Sequence, residues 1–259
     1  MDAVSLIDMP VEHTMADSLR AAQYLRDAGA GCIVVLGGDG TCRVVAKGAG
    51  EVPLLPISTG TNNVVPTFVE GTIAGSAAAQ VALRARAGWE DLCWRHKRLL
   101  VRVNGEVFDQ ALVEVALLTT RFTGARAVWE TGTLRQVFVS RAQPVNIGLS
   151  AVLGVVHPVD PAYPGGASVT TAADGRKVMV PIAPGAVVPV GIGEIIEMEP
   201  GIDHPVDPLR PATLALDGER EITLNRGDEA MVRLDLDGPW IVDVDRTLQL
   251  AVENGAFAI

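Results

Sequence analysis

Short apolar runs and longer amphipathic stretches alternate along roughly the first ninety residues, a pattern that predicts α/β architecture. Residues 4–7 and 32–36 are apolar runs of strand length. The second run is continuous, which predicts a strand covered on both faces in a parallel sheet. Residues 54–57 form another such run, in which Pro56 favours an edge strand or a strand end.

Three helices are expected between and after these runs. Thr14 and Asp17 have the spacing of a capping box, which satisfies free N–H groups at the start of the first helix, and Gly29 ends that helix. The second helix follows residue 41, with apolar residues at 42, 45, 46 and 49. The third has small apolar residues in helical phase from 74 to 85 and stops at Gly88.

From about residue 95 the apolar period changes, and the chain becomes mostly β. Asn104-Gly105 follows an alternating run and is a strong hairpin signal. A helix is expected around residues 125–139. The other segments have strand length: 99–103, 111–118, 169–171, 178–182, 187–196, 214–216, 231–236 and 240–244. We therefore expect an α/β domain over residues 1–92 and a β-rich domain over 93–259, whose C-terminal segment could return to the first domain.

Composition excludes several classes of function. The chain of 259 residues has 21 Lys and Arg against 31 Asp and Glu, a net charge of −10. Sequence-independent binding to nucleic acid needs clustered basic residues, so we expect no nucleic-acid partner. No apolar run approaches the roughly 20 residues that cross a bilayer, and the first twenty residues lack a signal pattern. A cytoplasmic protein that does not bind membranes is expected.

Cysteine and histidine give no sign of a metal or redox site. None of them has the spacing of a ligand pair or a reactive pair. They are Cys32, Cys42, Cys93, His13, His96, His157 and His204. We interpret them as structural or surface groups, so no metal ion is expected from the protein alone.

A glycine-rich segment follows the strand predicted at residues 32–36, where parallel sheets bind ligands. It consists of Gly37, Gly38, Asp39, Gly40 and Thr41. Glycines let backbone N–H groups approach a polyphosphate closely, and the next helix directs its positive end to the same place. Asp39 could there bind Mg²⁺ or accept a proton from an attacking hydroxyl. The alternative is a tight strand-to-helix turn with Asp39 as the helix cap.

Gly-Gly-Asp-Gly-Thr after an apolar strand resembles the nucleotide motif of ATP-NAD kinases, diacylglycerol and sphingosine kinases, and 6-phosphofructokinases. Residues 56–64 resemble the second phosphate loop of AcoX-type proteins, the NAD-kinase-like branch associated with acetoin catabolism. Residues 111–114, 124–129 and 216–221 agree with that branch. The resemblance covers essentially the whole chain. It implies a two-domain NAD-kinase-like fold, with an α/β domain, a β-sandwich-like domain and an active site in the cleft.

The resemblance also implies which residues act. Residues 37–41 and a second loop would handle the nucleotide, and Glu114 would contact the substrate. The second loop consists of Thr59, Gly60, Thr61, Asn62 and Asn63. Asp217 and Glu219, on an Asp-Gly-Glu turn, would return to the cleft as a metal ligand or a base. The alternative for this turn is a β-turn with charged corners.

Three departures from the NAD-kinase pattern leave the activity open. Val113 stands where NAD kinases have an Asn that contacts the dinucleotide, and a hydrophobic side chain cannot make the hydrogen bonds of an amide. A Gly-Ser-Thr-Ala-Tyr loop is missing. The usual first strand and its Asn-Pro-type loop are also not found, since nothing before Val4 could supply them: either the α/β domain has lost them, or residue 1 is internal to a longer reading frame.

The expected activity is Mg²⁺- and ATP-dependent phosphoryl transfer to a hydroxyl of NAD or a related small acceptor. A non-catalytic nucleotide-binding accessory or regulatory protein is the alternative. A lipid kinase is disfavoured, because no membrane-binding stretch is evident. A sheet without its first strand would leave an edge or a helix face exposed, so we expect a homodimer or larger homo-oligomer.

Overall fold

The computed structural model describes residues 4–84, 88–119, 131–209 and 211–258. Its helices are α1 (Met15–Asp27), α2 (Asp39–Ala49), α3 (Gly71–Ala82), α4 (Ala151–Gly154) and α5 (Val244–Glu253). Its strands are β1 (Ile33–Gly37), β2 (Leu54–Ser58), β3 (Cys93–Arg95), β4 (Arg98–Val103), β5 (Glu106–Ala111), β6 (Glu114–Leu118), β7 (Leu134–Val139), β8 (Gly166–Ala183), β9 (Ala186–Met198), β10 (Asp203–Pro205), β11 (Ala212–Leu216), β12 (Glu219–Leu224), β13 (Ala230–Asp235) and β14 (Trp240–Val242).

The chain forms two compact units. The first comprises Met1–Thr59, Pro66–Arg95 and Pro239–Ile259, and the second comprises Gly60–Val65 and His96–Gly238. The first unit is an α/β structure and the second is built from antiparallel sheets. The predicted fold class, an α/β part and a β-rich part, is confirmed.

Local sequence signals decide the helices of the first unit. Thr14 and Asp17 form the expected capping box: the Thr14 side chain accepts from the Ala16 N–H, and the Asp17 carboxylate accepts from the Thr14 N–H. Helices α1 and α2 pack so closely at Gly48 that a Cβ there would lie 2.6 Å from the carbonyl oxygen of Leu19. The predicted first and second helices are therefore confirmed.

The sheet of the first unit has the order β1-β2-β14-β3. Strands β1, β2 and β14 are parallel, and β3 is antiparallel to β14. The prediction that β1 is covered on both faces is wrong. Ile33 and Val35 are buried, whereas Val34 is 44% and Leu36 67% exposed, because β1 is the edge strand of the described sheet.

Two further expectations for this unit are also wrong. Residues 4–7 form no strand, and Val4 and Leu6 face solvent, because no neighbouring strand pairs with this segment in the described structure. Strand β2, which contains Pro56, lies inside the sheet. The proline is tolerated there because β14 pairs with β2 only at Leu54, two residues before the missing N–H.

The second unit contains a four-stranded sheet, β10-β13-β4-β5, and a six-stranded sheet, β12-β11-β6-β7-β8-β9. Side chains from both sheets form one core, including Leu99 and Val232 from the smaller sheet and Leu117 and Phe138 from the larger. The opposite face of the larger sheet packs against α4. This arrangement is the expected sandwich.

The hairpin signal at Asn104-Gly105 is confirmed, with φ of +53° and +87° between β4 and β5. The prediction of a helix around residues 125–139 is wrong for residues 134–139, which form strand β7. Residues 120–130 lie outside the described part of the chain. The strands expected at 169–171 and 178–182 are one strand, β8. The strand expected at 240–244 is β14, which ends at Val242 because the Asp243 side chain then caps helix α5.

Candidate functional site

The two parallel strands of the first unit end side by side. In the ladder between β1 and β2, Gly37 pairs with Ser58, the last residue of each strand. The Thr59 N–H then donates to the carbonyl oxygen of Gly37 at 3.4 Å. The two segments expected to bind a nucleotide therefore begin at the same edge of the sheet, the carboxyl edge.

Gly37 makes the tight connection from β1 to α2 possible. A Cβ at this position would lie 2.6 Å from the Cβ of Thr41 and 2.7 Å from its Oγ1. Any other residue would therefore push the first turn of α2 away from the end of the strand. Gly37 and Gly40 are buried, and Gly38 and Thr41 are half-buried.

The N-cap position of helix α2 has no side chain. Its N-cap is Gly38, whereas α1, α3 and α5 are capped by the side chains of Thr14, Glu70 and Asp243. Asp39 is the first helical residue and is 8% exposed. It is therefore not the cap that the alternative interpretation required, but a buried acidic residue beside the positive end of the helix.

The second loop, Gly60–Val65, belongs to the other unit. In it, Thr61 is exposed, and Gly60, Asn62 and Asn63 are half-buried. Asn62 lies against Gly148, where a Cβ would be 3.4 Å from the Asn62 Nδ2. The Asn62 Oδ1 is buried and has no hydrogen-bond partner in the described structure. It could accept a hydrogen bond from a ligand.

Asp217 lies in a two-residue turn between β11 and β12, where it and Gly218 have φ of +48° and +80°. Its carboxylate accepts hydrogen bonds from three consecutive backbone N–H groups, those of Leu112, Val113 and Glu114. These bonds weigh against a free metal ligand or base, although a catalytic role for Asp217 stays a prediction.

Glu114 and Glu219, the other two acidic candidates, begin strands of the same sheet. Glu114 is the first residue of β6 and is 6% exposed. Glu219 is the first residue of β12, pairs with Leu216 and is half-buried. The Asp-Gly-Glu segment thus forms the turn of a β-hairpin, and the roles of both glutamates stay predictions.

A further buried cationic group lies outside these loops. The Lys97 Nζ donates to the carbonyl oxygens of Asp160, Tyr163 and Gly165, at 3.3, 2.6 and 2.8 Å. Burial, and then the charge of Arg141, lower the pKa of Lys97 to about 8, and burial lowers the pKa of His96 to about 3. Because its donors are directed to main-chain carbonyls, Lys97 holds the loop 160–165 in place.

Comparison with known proteins places the chain in a family. A family model for the acetoin catabolism protein X C-terminal domain matches residues 97–237, and one for the ATP-NAD kinase N-terminal domain matches residues 4–84. Acetoin catabolism protein X of Cupriavidus necator is 41% identical over 241 residues, which cover 90% of this chain and 67% of that protein. The chain belongs to the acetoin catabolism protein X family. The predicted resemblance is confirmed.

One solved structure shows that this acetoin catabolism protein X family member has an NAD-kinase-like fold. Yeast NADH kinase complexed with NADH matches 88% of this chain and 67% of its own, with 16% identity and a TM-score of 0.50. An NAD kinase from Archaeoglobus fulgidus in complex with ATP matches 92% of both chains at 14% identity, with a TM-score of 0.42 that is too low to bear on the fold.

Two features of this acetoin catabolism protein X family member were not predicted. Arg43 in α2 is 1% exposed, and its spacing of four residues from Asp39 places both side chains on one face of the helix. That spacing could have been recognised in the sequence. The contact of Asn62 with Gly148 could not, because nothing local to either residue indicates it.

The described residues of this family member contain no group of three or more His, Cys, Asp or Glu that could hold a metal ion. Within the same residues, every helix is too short or too polar to cross a membrane.

Proposed function

We propose that this protein binds a nucleoside triphosphate at the carboxyl edge of β1 and β2 and transfers its terminal phosphoryl group to a hydroxyl of NAD or a related small acceptor. The observation that carries the proposal is the junction at Gly37. There the strand ends beside Ser58, and the N-cap of α2 is Gly38, which has no side chain. N–H groups at such a helix start are suited to bind phosphate oxygens.

Asp39 is the residue to which we assign the chemistry. It is buried at the first position of α2, next to the amides that would hold the phosphates. Its carboxylate would either position Mg²⁺ or accept the proton of the attacking hydroxyl. A magnesium ion carried by a nucleotide fits this site, because Mg²⁺ takes one or two carboxylates and completes its shell with phosphates and water.

The family relations support this assignment. The match to the ATP-NAD kinase N-terminal domain covers the junction and Asp39. The relation to acetoin catabolism protein X supports a small acceptor connected with acetoin catabolism. NAD itself is the acceptor that the ATP-NAD kinase description suggests.

A second candidate is a nucleotide-binding protein without phosphoryl-transfer activity. Val113 favours it, because this position is fully buried and apolar where NAD kinases have an Asn. A dinucleotide would lose those amide hydrogen bonds. Under this candidate the loops at residues 37–41 and 59–63 still bind a nucleotide.

The substitution Asp39→Asn separates the two candidates. If Asp39 takes part in the transfer, the variant should lose at least about 100-fold in turnover. Nucleotide affinity should change far less, because the amides of α2 remain. Transfer from ATP to NAD would be followed by ³¹P NMR, and affinity by calorimetry, each with and without Mg²⁺.

Asp245→Asn is the matched control, because Asp245 is an exposed acidic residue in the first turn of α5. It should leave turnover unchanged. Wild-type transfer that survives Asp39→Asn within a few-fold would refute the role of Asp39. Nucleotide binding without any transfer to NAD or acetoin-pathway alcohols would favour the second candidate.

A further inference from the structure

We propose that the cavity between the turn at residues 89–92 and the start of α5 binds a small organic cation, of which a short aliphatic diamine is the simplest example. This α5 cavity has a volume of about 300 Å³, at the small end of the range for ligand sites. All of its lining residues belong to the first unit. The inference does not depend on the proposed function, because it concerns the end of β14 and not the end of β1.

Main-chain hydrogen bonds fix the two walls of the α5 cavity. The N–H groups of Leu92 and Cys93 both donate to the carbonyl oxygen of Trp89, at 2.9 and 2.7 Å, which closes the turn. The carbonyl oxygen of Leu92 accepts from the Asp243 N–H at 2.8 Å and from the Thr247 hydroxyl at 3.1 Å. The turn is thereby joined to the first turn of α5. A ligand enters a site that is already formed, so little ordering of the protein opposes binding.

The lining of the α5 cavity carries an excess of negative charge. Its charged side chains, three acidic and one basic, are those of Glu90, Asp91, Asp243 and Arg246, which leaves a net charge of −2. The Asp243 carboxylate accepts from the main-chain N–H of Arg246 at 2.9 Å. Within the described residues, no ion pair joins the Arg246 guanidinium to any of the three carboxylates. A concave surface lined mainly by one sign of charge concentrates counter-ions, so this lining favours a cation.

The buried part of the lining is apolar except for one thiol. Leu92 is fully buried, and Cys93 is 6% exposed. Burial, and then Cys32 and the nearby carboxylate of Asp243, raise the pKa of Cys93 to about 12, so the thiol stays protonated at neutral pH. Within the described residues this thiol makes no hydrogen bond, which leaves it free to contact a ligand. An aliphatic stem fits such a surface, with its charged ends at the carboxylates.

An organic cation fits this lining better than a metal ion or an anion. Among the described residues, no three His, Cys, Asp or Glu side chains converge on a position that could hold a metal ion. The carboxylates are instead spread over the wall of the α5 cavity, where the two ends of one elongated cation reach more than one of them. An anion would meet net repulsion. Two ammonium groups joined by a short methylene chain balance the net charge of −2 and cover Leu92 and Cys93.

Titration with 1,4-diaminobutane tests the site, and amide shifts of ¹⁵N-labelled protein report its position. The shifts should be largest at residues 90–94 and 243–247. Propylamine, which has one ammonium group, should bind about 2- to 5-fold more weakly, the factor expected for one exposed charge pair. Mg²⁺ at the same concentration should not reproduce the pattern of shifts. Equal shifts with Mg²⁺, or shifts spread over the whole acidic surface, would mean an adventitious counter-ion only and would overturn the inference.

Single charge changes should have effects of opposite sign. Glu90→Gln and Asp91→Asn should each weaken diamine binding by about 2- to 5-fold, whereas Arg246→Gln should strengthen it by a similar factor. A merely structural disturbance would weaken binding in all three variants. Asp245→Asn is the matched control, because it removes an acidic charge from the same turn of α5 but lies outside the lining. It should change the affinity by less than about 1.5-fold.

Cys93 and Cys32 provide an internal comparison. The pKa of both thiols is raised to about 12, but Cys93 lines the α5 cavity and Cys32 does not. Diamine at about ten times its dissociation constant should slow alkylation of Cys93 by iodoacetamide at least about 5-fold and leave Cys32 unchanged. Equal protection of both thiols, or an Arg246→Gln variant that binds no better than the wild type, would refute the site. ATP plays no part in these measurements, so failure of the proposed function leaves their result intact.

Discussion

Substitution of Gly37 by Ala tests whether the junction at the end of β1 is as tight as the structure indicates. The added Cβ would lie 2.6 Å from the Thr41 Cβ, 2.7 Å from its Oγ1 and 2.9 Å from its Cγ2. Rotation about χ1 cannot relieve the contact, because the Thr41 Cβ is fixed to the backbone of α2. The helix start or the strand end must therefore move by about 1 Å.

The expected cost follows from this contact. Overpacking of one methyl group in a close-packed site costs about 1–3 kcal/mol. Thr41→Gly removes all three contacting atoms but introduces glycine near the start of a helix, which costs about 0.3–0.5 kcal/mol relative to threonine. In the double variant the two changes should therefore compensate, with a coupling energy of about 1–2 kcal/mol.

Urea unfolding followed by tryptophan fluorescence measures these costs. Trp89, Trp94 and Trp240 lie in the same unit as Gly37, so a Trp129→Phe background restricts the signal to that unit. Gly75→Ala is the matched control, because a Cβ there meets nothing within 4 Å in the exposed part of α3. It should stabilise the protein by about 0.5–1 kcal/mol.

An unfolding free energy of Gly37→Ala within about 0.5 kcal/mol of the wild-type value would show that the junction is not tight. The same would follow if Thr41→Gly did not reduce the cost of Gly37→Ala. Binding of ATP in the same variants then shows whether a 1 Å displacement of the α2 start affects the proposed phosphate site.

Two other predictions concern buried ionisable groups. The pKa of Lys97 is lowered from 10.5 to about 8, first by burial, so between these values the unfolded chain binds more protons than the folded protein. The difference in unfolding free energy between the wild type and Lys97→Met should therefore change by about 1–3 kcal/mol in favour of the wild type from pH 7.5 to pH 10. Urea titrations at both pH values measure this, and a constant difference would contradict the burial of the charge. Burial also raises the pKa of Cys32 and Cys93 from 9.0 to about 12. Both thiols should react with iodoacetamide at pH 8 at least about 100-fold more slowly in the native protein than in urea, as followed by mass spectrometry, and equal rates would show that they are accessible.

Features with a local cause could be predicted from the sequence. The capping box at Thr14, the hairpin at Asn104-Gly105 and the glycine-rich connection after β1 each depend on residues a few positions apart. The change of apolar period near residue 95 likewise separated an α/β part from a β-rich part. Such signals are independent of the rest of the fold.

Features that depend on distant neighbours could not be predicted. The apolar run of β1 did not show that β1 would be an edge strand with Leu36 exposed. The hydrogen-bonding role of Asp217 depends on amides 103 to 105 residues away in the sequence. Pro56 wrongly indicated an edge strand for the same reason. Whether the sheet tolerates a proline at this position depends on how far β14 extends along β2.

Strand β14, which lies between β2 and β3, has a consequence for how the protein is made. The ribosome completes the glycine-rich loop early, but the sheet that supports it lacks this inner strand until residues 240–242 emerge. Helix α5, which packs on α3 and bonds Leu92 through the Thr247 hydroxyl, arrives later still. The whole of residues 96–238 is therefore available to fold first. The first unit can therefore complete its sheet only after almost the whole chain has been synthesised, and until then β2 and β3 lack the strand that joins them.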